Sequence, residues 1–375
     1  MKTLIKSLQI ERFRAFQNLR VDGFGKVNLI TGKNNSGKSS LLEAVRILAS
    51  GGSLKTIFDI LNYREELGSS VELDKTYLPT EIAPFCNLFH DFPDISSSKN
   101  GFSIISTGSL PESISRISVS INWFTRKVDT ESDRQTIFYE PASRDLFDDM
   151  EPFPALSLDI SGRKRVVPLD RLQRRYPIRN EVDTSPIPCV YLDPFSSRST
   201  SQLGALWDAI SLTDAEKDIV KALQVISPDI QAVSMIGSDE RSARPRTAIA
   251  RSARFPSPLP LRSFGDGVNR LFGIILSLCN ARNGVLLVDE IENGLHYSVQ
   301  TEMWRTIFAL AKHMNVQVFA TSHSWDCVHA FQQAASESPE DGILVRLSRK
   351  GESTIPTIFT EQELEIVTRD QIEVR

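Results

Sequence analysis

The chain has 375 residues, of which 41% are apolar and 24% charged, so it can bury a sizeable core as one large domain with insertions or as two domains, and it is not a disordered chain. Its 43 basic and 47 acidic side chains nearly cancel, so net charge selects neither nucleic acid nor an anionic membrane, and any such contact must come from local patches. The four cysteines, Cys86, Cys189, Cys279 and Cys327, are far apart with no C-x-x-C pair, which argues against a zinc site or a disulfide framework.

The start, "MKTLIKSLQIERFRAF", reaches Lys6, Glu11 and Arg12 before a signal-length apolar stretch accumulates. No run of about 18 apolar residues follows anywhere, and a soluble, cytoplasmic protein without membrane contact is expected. The first elements read as a strand from Leu4 to Ile10, a second strand "KVNLITG", the loop "KNNSGKS" and the helix "SLLEAVRILAS", in which Leu41, Leu42, Val45 and Leu48 mark one buried face. Further on, Ile117, Val119, Ile121 and Trp123 alternate with polar residues, as do Leu156, Leu158 and Ile160, the two-residue period of half-buried antiparallel strands. "IPCVYLDPF" returns to a short buried strand, and residues 200–230 carry helical spacing. The proline-broken stretch "RSARPRTAIARSARFPSPLPLRS" reads as a linker or a strand-poor excursion. A glycine-opened helix, the strand in "GVLLVDE", a helix from about Ser298 to Lys312 and the strand "VQVFATSH" then alternate as an α/β unit, and "GILVRLSRKGESTIPTIF" closes as a hairpin turning at Gly351.

"GKNNSGKS", Gly32 to Ser39, matches the phosphate-loop pattern G-x-x-x-x-G-K-[ST] between an apolar strand and an amphipathic helix. Its glycines let backbone N–H groups curl around phosphates and the following helix presents its positive end. The expected nucleotide contacts are Gly32, Asn34, Asn35, Ser36, Gly37, Lys38, Ser39 and Ser40, with Lys38 on the β- and γ-phosphates and the Ser39 hydroxyl on Mg²⁺. Such a loop needs a second strand tip carrying an Asp for the metal shell. "VLLVDE" supplies Asp289 as metal ligand and Glu290 as the base that aligns and deprotonates water. Two other readings stand beside this one: a polar strand end that caps the next helix together with Glu292 and Asn293, and a nuclease-like metal cluster of Asp289, Glu290 and Glu292. His323, ending the next strand 34 residues after Asp289, is expected at the γ-phosphate, although a lone histidine is more commonly structural. His296 reads as a residue that orders its own loop.

The loop, the late Asp-Glu pair, "ENGLH", "TSH" and "RSFGDGVNRL" together resemble the ATP-binding-cassette superclass, in its RecF/SMC-like branch and the ATPase part of OLD-family proteins, over about residues 1–50 and 260–330. The resemblance implies an α/β phosphate-loop ATPase of the cassette type, with a mostly parallel central sheet, an antiparallel β-rich insertion and a helical lobe. It implies ATP and Mg²⁺ as cofactors, turnover of ATP to ADP and phosphate, and two copies that sandwich two ATP molecules. Ser263, Gly265, Asp266 and Gly267 would then be the signature that completes the partner copy's site; a helix cap beside a turn is the alternative reading of those four. The signature is "SFGDG" rather than the transporter form, and Gln135 and Gln173 are both open as the glutamine-loop residue. OLD proteins continue into a nuclease domain, which leaves any nuclease effector here to a separate chain.

The expected organisation is residues 1–60 for the N-terminal half of the ATPase core, 61–186 for the β-rich insertion, 187–262 for a strand, helical lobe and linker, 263–345 for the C-terminal half of the core, and 346–375 for a hairpin and tail. Two basic clusters, Arg163, Lys164, Arg165, Arg171, Arg174, Arg175, Arg179 and then Arg241, Arg244, Arg246, Arg251, Arg254, would suit a phosphate backbone or a solvated face. The functional expectation is an ATPase that dimerises around ATP and drives a partner effector, with anti-phage defence as the family-level setting. The alternatives are a nucleotide-gated scaffold with little turnover and a DNA-repair clamp.

Overall fold

The computed structural model describes residues 3–67, 83–91, 101–129, 136–142, 152–169, 185–194, 200–237, 246–338, 341–370 and 372–374. Two antiparallel strands open it, β1 (Ile5–Phe13) and β2 (Phe16–Asp22). β3 (Val27–Gly32) then leads through the phosphate loop into α1 (Lys38–Ala49), α2 (Leu54–Tyr63) and the short α3 (Ala83–Cys86). Five strands follow: β4 (Gly101–Gly108), β5 (Arg116–Asp129), β6 (Thr136–Pro141), β7 (Phe153–Ile160) and β8 (Arg163–Pro168). They join β1 and β2 in one antiparallel sheet of order β2-β1-β4-β5-β7-β8, with β6 on β5.

After β9 (Cys189–Leu192) come α4 (Thr200–Ile210), α5 (Ala215–Gln224) and a small antiparallel sheet of β10 (Ile230–Ile236), β11 (Thr247–Ser252) and β12 (Leu259–Pro260). The chain then alternates α6 (Asp266–Asn280), β13 (Val285–Val288), α7 (Tyr297–His313), β14 (Gln317–Thr321) and α8 (Trp325–Ala335). It ends in the hairpin β15 (Gly342–Lys350) and β16 (Ser353–Phe359), which does turn at Gly351 with φ 63°, and α9 (Glu361–Arg369).

The second large sheet has the order β16-β15-β3-β14-β13-β9, parallel except for the β15–β16 pair. Its central strands β3, β13 and β14 are buried on both faces, which is why "VLLV" reads as an unbroken aliphatic run rather than an alternation. Leu286, Val288, Val318 and Ala320 face a core made with α4 to α8, whereas Val285, Leu287, Phe319 and Ile30 face α1 and the antiparallel sheet. α1 is therefore roofed by one sheet and floored by the other, and nine of its twelve residues are buried where one apolar face is expected.

Three expectations change. In place of one mostly parallel central sheet with a separate antiparallel insertion there are two large sheets, and the chain's own first strands form one flank of the antiparallel one. Within the stretch read as a linker, residues 247–252 form β11: Ala248, Ala250 and Ser252 turn inward in alternation and pair with β10, a pattern masked by the flanking arginines and prolines. Residues 361–369 of the expected tail are a helix opened by a capping box between Thr360 and Glu363.

Candidate functional site

The register of the parallel sheet builds the site. β3 ends at Gly32, β14 lies beside it, and β13 beside that, so residues following all three strand ends emerge at one edge. Gly32 has φ 142°, and a Cβ there would stand 2.3 Å from the Leu347 carbonyl oxygen and 2.7 Å from Ser36 Oγ. Gly37 has φ 98°, and a Cβ there would stand 2.5 Å from the Phe16 ring. Only glycine leaves the loop this tightly wound. Lys33, Asn34 and Asn35 are exposed along its outer side, with Asn35 itself left-handed at φ 66°.

No side chain caps α1, so its first N–H groups are left to the loop's concavity, and Ser36 Oγ is buried without a hydrogen-bond partner among the described residues. Lys38 donates from Nζ to the carbonyls of Gly32 (2.7 Å) and Lys33 (3.2 Å). Burial pulls its ammonium below the ordinary lysine value, against the opposing carboxylates of Asp289, Glu290 and Glu292. Ser40, two residues further along α1, is buried.

Across the cleft, Ser39 donates its hydroxyl to Asp289 Oδ2 at 2.8 Å, and Thr321 donates to Asp289 Oδ1. Asp289 is nearly buried. A hydroxyl and a carboxylate within hydrogen-bond reach are the donor set of a hard divalent cation, and the wound loop with its unpartnered Ser36 hydroxyl and free N–H groups suits a polyphosphate. The residues present therefore fit ATP and Mg²⁺. Glu290 follows with φ 48°, a left-handed conformation uncommon for glutamate, and its N–H is held by Thr321 Oγ1 at 2.9 Å.

The other expected residues divide. Glu292 is engaged by the end of the next strand: its Oε1 accepts the His323 N–H at 3.0 Å and lies 3.2 Å from His323 Nδ1. The His323 ring, at 57% exposure, reaches outward from that anchor. Among the described residues no three His, Cys, Asp or Glu side chains converge as a metal cluster, so the nuclease-like grouping of Asp289, Glu290 and Glu292 is not what the fold builds. His296 caps α7, with Nδ1 beside the Ser298 hydroxyl at 2.9 Å. Ser263, Gly265 and Asp266 are exposed at the start of α6; Gly265 has φ 109° and open space around it, while a Cβ on Gly267 would meet Gly294 and Leu295 of the "ENGLH" loop.

Gln135, Gln173, Arg171, Arg174, Arg175, Arg179, Arg241 and Arg244 lie outside the described residues. Arg163, Lys164 and Arg165 are exposed on the first half of β8, but Arg246 forks onto Asp208 and Arg254 lies 3.5 Å from Asp229, so two members of the second cluster are engaged by acids. No helix among the described residues is long and apolar enough to cross a membrane.

Several residues escape a motif reading. Thr321 orders both acids, Phe16 supports Gly37, and Arg270 lies beneath the two strand tips as the single charge between Gly267 and Asn280; that isolation in an apolar helix is the one signal that could have flagged it.

Loop, strand-tip Asp-Glu pair and sheet order together are those of a phosphate-loop ATPase. The solved head of an Smc protein, bound to the C-winged helix domain of ScpA, superposes with a TM-score of 0.50 over 96% of this chain and 99% of that one at 12% identity, a likeness of fold. The chain belongs to the family described as "AAA domain, putative AbiEii toxin, Type IV TA system", which matches residues 27–326. It is 25% identical over 382 residues to an ATP/GTP phosphatase of Helicobacter pylori, spanning 96% of this chain and 97% of that one. Over 52 residues, 14% of each chain, it is 42% identical to the DNA replication and repair protein RecF of Clostridioides difficile. The protein is an ATPase that takes ATP with Mg²⁺.

Proposed function

We propose that the protein hydrolyses ATP at this edge, with Lys38 on the terminal phosphates, Ser39 and Asp289 holding the metal, Glu290 as general base and His323 beside the γ-phosphate, in an assembly of two copies closed by ATP. When bound, Mg²⁺ spreads the negative charge that builds on the phosphates. The Gly32–Ser40 stretch holds the phosphates with its N–H groups, and Lys38 adds a fixed cation. Glu290 takes a proton from water, its backbone held by Thr321. The observation that carries this reading is the Ser39–Asp289 contact at 2.8 Å, which joins the two motifs across 250 residues of sequence.

The exposed Ser263–Gly267 turn supports a second copy. It opens a helix with free N–H groups to solvent and packs its Gly267 on the loop that follows Glu290, so a phosphate bound there from a partner would press on the catalytic edge. Hydrolysis reopening such a pair would signal to a separate effector protein, a nuclease being one such class, and anti-phage defence of the OLD-like kind is the setting the reading favours. Low-turnover gating and a DNA-clamp role are the competing outcomes; the exposed basic residues of β8 favour the second if they meet nucleic acid.

Steady-state ATP hydrolysis with and without double-stranded DNA, beside Glu290→Gln and Lys38→Ala, tests the assignment. Lys38→Ala is expected to lose ATP binding. Glu290→Gln should bind ATP, lose at least about a hundredfold in turnover and sediment as a dimer. Turnover stimulated by DNA supports the clamp; parental turnover in Glu290→Gln would sink the base assignment.

A further inference from the structure

Arg270 is 1% exposed, near the N-terminal end of α6, and its guanidinium collects three main-chain oxygens. One terminal nitrogen donates to the Asp193 carbonyl at 3.0 Å; the other donates to the carbonyls of Asp289 and Glu290, each at 3.0 Å. These oxygens meet because β9 and β13 are parallel neighbours with Leu192 opposite Val288, so the residues following both strands leave the sheet side by side. The Glu290 carbonyl also accepts the Asn293 N–H at 3.1 Å, and the planar guanidinium fork spans all three carbonyls in a fixed geometry that a compact ammonium does not reproduce.

The contact matters because of what Glu290 does there. With φ 48° its backbone is in the left-handed region, which is strained for a glutamate and persists only where the surroundings hold it. It is held at both ends, by Thr321 at its N–H and by Arg270 together with the Asn293 N–H at its carbonyl. Arg270 lies on the same helix as Gly265–Gly267, a little over one turn further along, so the turn exposed to a partner and the clamp on the acids are parts of one rigid element.

We propose that Arg270 is a positioning residue for hydrolysis: it locks the Asp289–Glu290 backbone in the conformation that aims the Glu290 carboxylate, and it ties that aim to the placement of the glycine-rich start of α6. This rests on the reading of Glu290 as the base. Its guanidinium bonds main-chain carbonyls, so it would act through the backbone of the proposed base rather than on the reacting atoms.

The test compares Arg270→Met and Arg270→Lys in the full chain, each alone and with Glu290→Gln, reading kcat, KM for ATP and the Kd of a fluorescent ATP analogue. Arg270→Met is expected to lower kcat by about tenfold or more while KM and Kd stay within about twofold, with Arg270→Lys intermediate. In the Glu290→Gln background Arg270→Lys should change the residual rate by less than about twofold, because the group it positions is already gone. If Arg270→Met fails to fold, Arg270→Lys, which keeps the buried cation opposite the same carbonyls, carries the test alone. Parental kcat in the folded variants, a parallel loss of kcat and affinity, or a full additional loss on top of Glu290→Gln would each overturn the inference. Parental turnover of Glu290→Gln alone would instead overturn the base assignment beneath it.

Discussion

Gly37 shows how closely a phosphate loop can depend on a residue outside its motif. Its φ of 98° already excludes most side chains, and the edge of Phe16, fully buried at the start of β2, fills the space where a Cβ would project. Gly37→Ala adds backbone strain of about 1–3 kcal/mol to an aromatic clash, so ATP binding should weaken by at least about tenfold and thermal stability should drop. Adding Phe16→Leu to Gly37→Ala removes the clash but not the strain and should recover part of the binding. Titration with a fluorescent ATP analogue measures both, and full recovery or none would show that only one of the two effects operates. At this scale the sequence was informative where a spacing encodes backbone geometry, as in the glycines and Lys38–Ser39. It was silent on Phe16, Thr321 and Arg270, whose importance comes from neighbours brought by remote strands.

Among the elements, α1 joins the loop to the body of the protein, and a buried ionic cluster fixes it. Glu43, 7% exposed, lies 2.6 Å from Arg14 Nε and 2.6 Å from Arg64 Nε, while Arg14 also forks onto Glu66. Arg14 sits at the left-handed tip between β1 and β2, so the cluster binds that tip, α1 and the end of α2 together. Burial pushes the Glu43 carboxyl above its ordinary value, and the two guanidiniums oppose that shift. Arg14→Met removes one of them, and breaking such a buried pair costs about 3–5 kcal/mol. A raised folded-state value means that the folded protein holds its proton to higher pH than the unfolded chain, so stability falls as pH rises from the unfolded carboxylate value through the folded one. The variant should therefore lose more stability relative to the parent at pH 8 than at pH 5, as urea midpoints at the two pH values would register; equal losses would mean that Glu43 bears no charge cost. The helix itself is legible from Leu41, Leu42, Val45 and Leu48, yet nothing in that spacing marks Glu43 as buried. Its burial follows from the antiparallel sheet roofing α1, and that roof depends on pairing β1 with β4 across about a hundred residues, which no local periodicity encodes.

For the molecule as a whole, the question is what keeps two sheets in register around one helix. Gln317, fully buried at the start of β14, answers much of it: its Oε1 accepts the Ile5 N–H at 2.8 Å, and its Nε2 donates to the carbonyls of Ile5 at 2.7 Å and Gly25 at 2.9 Å. A single amide thus fastens the first strand of the antiparallel sheet to the strand that carries Thr321 and precedes His323. Gln317→Leu keeps the volume but leaves one buried N–H and two buried carbonyls without this partner, at about 1–3 kcal/mol for each group left unsatisfied. If the clamp holds the sheets together, hydrogen exchange should quicken in β1 and β2 well before it quickens in β13 and β14, and the KM for ATP should rise because α1 loses its roof while Glu290 keeps its anchors. Uniform loss of protection across both sheets would instead mean that Gln317 stabilises the fold globally, and unchanged exchange in β1 would mean that the α1 core alone holds the two sheets together.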